Sequence, residues 1–169
     1  MNIFVLDQDP LKAARDQCNK HVVKMLLESA QLLVTAFPPG TTRYKHTHVN
    51  HPCGKWVRAS LSNYEWLLRH ACELCNEYTR RYGKVHKTEH IIASLEQPDL
   101  PDLGLTPFAQ AMPEQYRDAD PVKAYRAYYI GEKARFAKWA PRAAAPAWWP
   151  FPDIPVDESW FEQEVAGED

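Results

Sequence analysis

The stretch LKAARDQCNKHVVKMLLESAQLLVTAF, Leu11 to Phe37, holds neither glycine nor proline, and Pro38 closes it. Apolar residues recur along it at helical spacing, at Val22, Val23, Met25, Leu26, Leu27, Ala30, Leu32, Leu33 and Val34. That pattern predicts a helix apolar on almost every side, which belongs in the interior. The first third, KAARDQCNK, is polar, so a bend or a new helix start is expected near Asn19, with Asn19 as N-cap. One polar line crosses the apolar part: His21, Lys24, Glu28 and Gln31 stand at i, i+3, i+7 and i+10 and share a face. Titratable side chains on an inward helix must meet water, a polar network or a cleft. As a solvent face they amount to an ordinary Lys24–Glu28 pair, worth roughly 0.2–0.5 kcal/mol. As a cleft, the carboxylate and imidazole are placed for proton transfer.

Working outward, Met1–Leu6 (MNIFVL) is too short for a helix and predicts a strand or an extended arm packed into the core. The segment 41–54, TTRYKHTHVNHPCG, lacks a period and predicts an ordered loop rich in donors. Helical spacing restarts over Lys55–Tyr82, with a break expected near Ser62-Asn63 and Gly83 as the residue that ends the run. His86–Leu95 predicts a short helix. Residues 96–120 carry many prolines and predict a connector held down by Leu100, Leu103, Leu105, Phe108 and Met112. Asp120-Pro121 is a cap and first-turn pair for a last helix running to about Trp139. The expectation is an all-α single compact domain over 1–152, with a short N-terminal extended segment, Pro-rich connectors and an acidic tail over 153–169.

The chain has 169 residues, 45% hydrophobic and 25% charged, enough for one sizeable core. No window is long and apolar enough to span a membrane, and the opening residues lack a signal-peptide pattern, so a cytoplasmic location is expected. Four cysteines without a secretory cue read as reduced thiols. The net charge of −2 conceals an asymmetry: residues 1–92 carry 13 Lys+Arg against 8 Asp+Glu and all seven histidines. After Arg142 there are only acidic charges, from Asp153 to Asp169. The basic half suits a polyanion. Arg43, Lys45, Lys55, Arg58, Arg80, Arg81 and Lys84, interleaved with Tyr44 and Trp56, are candidate phosphate contacts on a nucleic acid. His46, His48, His51 and Cys53 could be assembled into a zinc site, but Cys72-x-x-Cys75 lies in an apolar stripe with no matching pair, and no metal or cofactor is expected. A Gly-rich phosphate loop, a GxSxG elbow and an HExxH pair are all absent from the sequence, which removes nucleotide hydrolases, serine hydrolases and zincins.

Taken together, the arm leading into a helix with His21 and Glu28, the run YEWLLRHACELCNEYTRRYG at 64–83 and the aromatic AYRAYYIGEK resemble the pyrimidine-dimer DNA glycosylases of the endonuclease V type. The opening residues are also similar to those of bacteriophage proteins of unassigned role. The resemblance implies an all-helical enzyme that excises damaged or modified bases from double-stranded DNA, with a following AP-lyase step. It implies that the α-amine at the chain start attacks the sugar C1′ and that a core-helix glutamate assists. By position these are Met1 and Glu28, with His21 and Lys24 lining the same cleft. An α-amine suits such an attack because α-amines lose their proton at lower pH than lysine side chains do. Two positions depart from the family pattern. Asn2 stands where a small residue would expose a new N-terminus, and Leu27 and Gln31 stand near Glu28 where arginines are expected. Trp148 and Trp149 could wedge into DNA, although their setting among prolines favours packing against the core. The alternatives are a non-catalytic helical module for a nucleotide or protein partner, its acidic tail mimicking nucleic acid, and a metal-dependent enzyme built on His46–Cys53.

Overall fold

A computed structural model describes residues 1–153 of the chain. The acidic tail expected from 153 onward therefore lies, apart from Asp153, outside the described residues. Six α-helices follow one another: α1 Pro10–Arg15, α2 Asn19–Val34, α3 Pro52–Ala59, α4 Leu61–Tyr82, α5 Glu89–Ser94 and α6 Pro121–Lys133, with one 3-10 turn at Glu114–Tyr116. The described residues contain no strand, so the fold is all-α. The opening segment is an arm whose Ile3, Phe4, Val5 and Leu6 are buried.

The break expected in the first helical stretch is real: α1 ends at Arg15 and α2 starts at Asn19. Asp9 accepts from the Leu11 amide and Pro10 opens α1. The chain then turns, and α2 begins at Asn19. Asn19 is the first helical residue and not the cap; Cys18 occupies the cap position with extended backbone and no side-chain capping bond. The Asn19 amide instead donates to Lys138 O at 2.7 Å, and its side chain to Ala140 O at 2.8 Å, which ties the start of α2 to the C-terminal region. Along α2, eleven residues are buried, as expected of a helix apolar nearly all round.

Helix α4 is the spine; α1, α2, α3 and α5 all pack on it. Ser60 separates α3 from α4, two residues before the predicted break, because its extended backbone (φ −158°, ψ 143°) cannot continue a helix. Gly83 ends α4 at φ 71°, a left-handed conformation that glycine adopts without strain, and its amide reaches Thr79 O. Asp120 caps α6 by accepting from the Val122 and Lys123 amides, and α6 stops at Lys133, short of Trp139. In the connector Met112 is buried, whereas Leu103 and Leu105 are 70% and 51% exposed and do not anchor it. Asp102 holds that turn instead, accepting from Ser62 Oγ and the Gly104 amide.

Helix α6 closes over the arm with aromatic rings. Phe4 stacks on His21 at 4.5 Å and meets Tyr129 edge-on at 5.4 Å. Arg126 donates to Leu6 O at 2.9 Å and pairs with Asp7, fastening the end of the arm. Trp149 is buried, and Trp148 donates to Asp16 Oδ2 at 2.9 Å, so this pair packs the C-terminal region.

Candidate active site

The arm does not run straight. Phe4 has φ 48°, a region that a residue with a Cβ enters at a cost of order 1–3 kcal/mol. Asn2 holds the kink: its Oδ1 accepts from the Ile3 and Phe4 amides at 2.8 and 3.1 Å, and its Nδ2 donates to Ala111 O at 2.7 Å. The result is that the chain start folds back onto α2. The Asn2 amide donates to Glu28 Oε2 at 3.1 Å, and the Met1 α-amine lies 3.8 Å from Glu28 Oε1. The Met1 side chain is only 4% exposed while the residue as a whole is half-buried, so its accessible part is the backbone end.

These groups open into a cavity of about 350 Å³ whose walls include Met1, His21, Lys24, Glu28, His51 and Lys133. The four catalytic candidates read from the sequence thus share one hollow. Positive charge there comes from the amine, Lys24 and Lys133, against the single carboxylate of Glu28. Where the family pattern expects arginines beside the glutamate, Leu27 is 39% exposed and Gln31 half-buried; Lys133 from α6 brings a cation across instead. Lys133 sits over the rings of Tyr128 and Phe4, 4.9 and 5.8 Å from their centroids. Lys133 and His51 carry no local sequence signal for this cleft, because only the packing of α6 and of the loop before α3 brings them to it.

His21 is 5% exposed, and its Nδ1 is 2.7 Å from the Tyr129 hydroxyl. Burial, then Lys133, Lys24 and Lys20, push its pKa down to about 3, so the ring is neutral near pH 7 and contributes hydrogen bonding in place of charge. Lys24 is exposed and also lines a second, more apolar cavity of about 420 Å³ with Lys20, Leu27, Tyr44, Tyr78 and Lys87.

The phosphate-contact candidates separate by burial. Arg43, Lys45 and Lys55 are exposed, and Lys84 borders the second cavity. Arg58 is half-buried, donating to Thr35 Oγ1 at 3.0 Å and Val49 O at 2.5 Å, and Arg80 is paired with Glu77 and Glu73. Arg81 corrects the expectation outright. It is fully buried, pairs with Glu77 at 2.9 Å and donates to Gln17 O and Arg15 O at 2.7 and 2.8 Å. It satisfies carbonyls at the end of α1 and is out of reach of a phosphate. Its pKa falls to about 10 through burial, which leaves it charged at neutral pH.

No three His, Cys, Asp or Glu side chains converge on a metal geometry among the described residues. In the His46–Cys53 group, His46 bonds Phe37 O, His48 bonds Thr47, His51 accepts the Cys53 amide, and Cys53 is buried with its thiol pushed up to about 12 by that burial. All four cysteines are free. No helix among the described residues is long and apolar enough to cross a membrane.

A family model described as pyrimidine dimer DNA glycosylase matches residues 1–90, more than half of the chain. The chain belongs to the pyrimidine dimer DNA glycosylase family. The matched part holds the arm, Glu28, His21, Lys24 and His51, whereas the family match leaves out α6, which contributes Lys133, Tyr128 and Tyr129. No curated protein and no solved structure matches the chain.

Proposed function

We propose that this protein is a DNA glycosylase with AP-lyase chemistry, acting on damaged pyrimidines in double-stranded DNA, with the Met1 α-amine as nucleophile. The observation that carries the reading is the 3.8 Å approach of that amine to Glu28 at a cation-lined cavity. Membership of the glycosylase family supports the substrate class. The target nucleotide must leave the stack to reach a hollow of this kind.

The neutral amine gives its lone pair to C1′, and the C1′–N1 bond breaks with its electron pair departing on the base. The amine nitrogen then releases a proton, which Glu28 is placed to take. Return of that proton to O4′ as the C1′–O4′ bond opens leaves a protonated imine between Met1 and the sugar. Loss of the C2′ proton next expels the 3′ phosphate with the C3′–O3′ pair, cutting the strand. Lys24 and Lys133 stabilise the phosphates that flank the reacting sugar, and Lys45 and Lys55 meet phosphates further out. His21 supports the cleft as a neutral hydrogen-bonding wall.

Borohydride reduction during incubation with a duplex containing an abasic site tests the reading, because it converts the imine to a stable covalent adduct. An adduct is expected with the native chain and a loss of roughly 10²-fold or more in its rate in Glu28→Gln. If the native chain forms no adduct while still binding duplex DNA, the non-catalytic binding module replaces this proposal.

A further inference from the structure

The loop that precedes α3 ends at His51, the helix opens with Pro52-Cys53, and the order of these three residues fixes the state of an imidazole at the cleft. Pro52 has no amide proton, so the first amide that α3 leaves without an intrahelical partner here is that of Cys53. His51 Nδ1 accepts that amide at 3.1 Å. A ring nitrogen that accepts a backbone N–H carries no proton, and a neutral imidazole has one N–H, so the proton stands on Nε2. Among the described residues Nε2–H has no protein acceptor, and the ring lines the cavity that holds the Met1 amine and Glu28. Protonating Nδ1 would break the cap. Burial, followed by the chain-start amine and His48, also lowers the His51 pKa, with Glu28 opposing.

We propose that His51 is a further catalytic residue: its Nε2–H donates to O2 of the departing pyrimidine, where negative charge collects as the C1′–N1 bond breaks. This rests on the glycosylase reading. With C1′ at the Met1 amine, O2 is the exocyclic acceptor next to the breaking bond, and a fixed donor at that oxygen stabilises the transition state more than the ground state. No proton changes owner. The base leaves with the bonding electron pair, and the hydrogen bond shares the resulting charge.

The two ring nitrogens have separate tasks, so two substitutions separate them. His51→Asn keeps an acceptor near Nδ1 and a good helix cap but has nothing at the Nε2 position; His51→Gln keeps a donor near Nε2 and weakens the cap. Two single-turnover assays are run with each: glycosidic cleavage of a duplex carrying a pyrimidine dimer, and borohydride trapping on an abasic duplex, where the base has already gone. The melting temperature is recorded alongside. His51→Asn is expected to keep the native melting temperature and to lose roughly 10²-fold in glycosidic cleavage, with abasic trapping changed by less than about threefold. His51→Gln should melt lower yet cleave faster than His51→Asn. The proposal is overturned if cleavage follows melting temperature across the pair, if trapping falls as far as cleavage, or if native protein traps abasic DNA but leaves the dimer duplex uncut. Absence of trapping by native protein removes the glycosylase reading itself, and this assignment with it.

Discussion

Lowering the pH from 7 to 5 should destabilise this protein through two buried histidines that remain neutral when folded. His21 is held at about 3, mainly by burial with help from Lys133, and His70 at about 4, also by burial. His70 is fully buried, stacked on Trp66, with Nδ1 2.9 Å from Pro10 O and Nε2 3.0 Å from Gln17 Nε2. A carbonyl can only accept, so Nδ1 carries the proton and Nε2 receives one from Gln17. Both folded-state values lie below the ordinary 6.5, so the stabilisation is complete above that value and is lost as pH falls toward the folded values. Between pH 7 and 5 the unfolded chain gains most of a proton at each site while the folded chain gains almost none. That difference costs about 2 kcal/mol per histidine, about 4 kcal/mol for the pair. Urea unfolding of the native chain, His21→Gln and His70→Gln at both pH values measures it. Each substitution should shrink the loss by about 2 kcal/mol, whatever it does to stability at pH 7. An unchanged loss in His21→Gln would mean that this ring is charged or accessible, and the account of it as a neutral wall of the cleft would be wrong.

Arg81→Met should destabilise by roughly 3 kcal/mol in urea unfolding, because Glu77 loses its buried partner and keeps only the more exposed Arg80, and two carbonyls at the end of α1 lose their donor; a change below about 1 kcal/mol contradicts the structural role. Lys45→Ala and Lys55→Ala should each reduce the slope of log affinity for duplex DNA against log salt by about 0.9, with little effect on melting temperature. Slopes equal to that of the native chain would remove these two side chains from the DNA surface.

Much of the fold is legible in the sequence because the decisive signals are local. The apolar run after Asn19, the glycine at 83 and the Asp120-Pro121 pair each act within a turn of where they stand. Asn19 shows the limit of that reading: its type suggests a cap, but its side chain is recruited by Ala140, far along the chain. Leu103 and Leu105 look like anchors by composition, yet Asp102 and Ser60 hold their turn through polar bonds and leave both leucines outside. In the cleft, the shared face of His21, Lys24 and Glu28 follows from helical spacing, while Lys133 and His51 arrive by tertiary packing that no local pattern encodes. Arg81 defeats a local reading because a basic pair at a helix end resembles a solvated terminus. Glu77 one turn earlier, with Glu73 one turn before that, was the available sign of a buried ionic cluster.

The central claim is that the bond to DNA forms at the chain start. Trapped abasic DNA, digested with nuclease and trypsin and read by mass spectrometry, locates that bond directly. The account predicts a sugar remnant on the α-amine of the peptide Met1–Lys12, absent after selective acetylation of that amine. A remnant on Lys24 or Lys133 with the Met1 amine unmodified would contradict it.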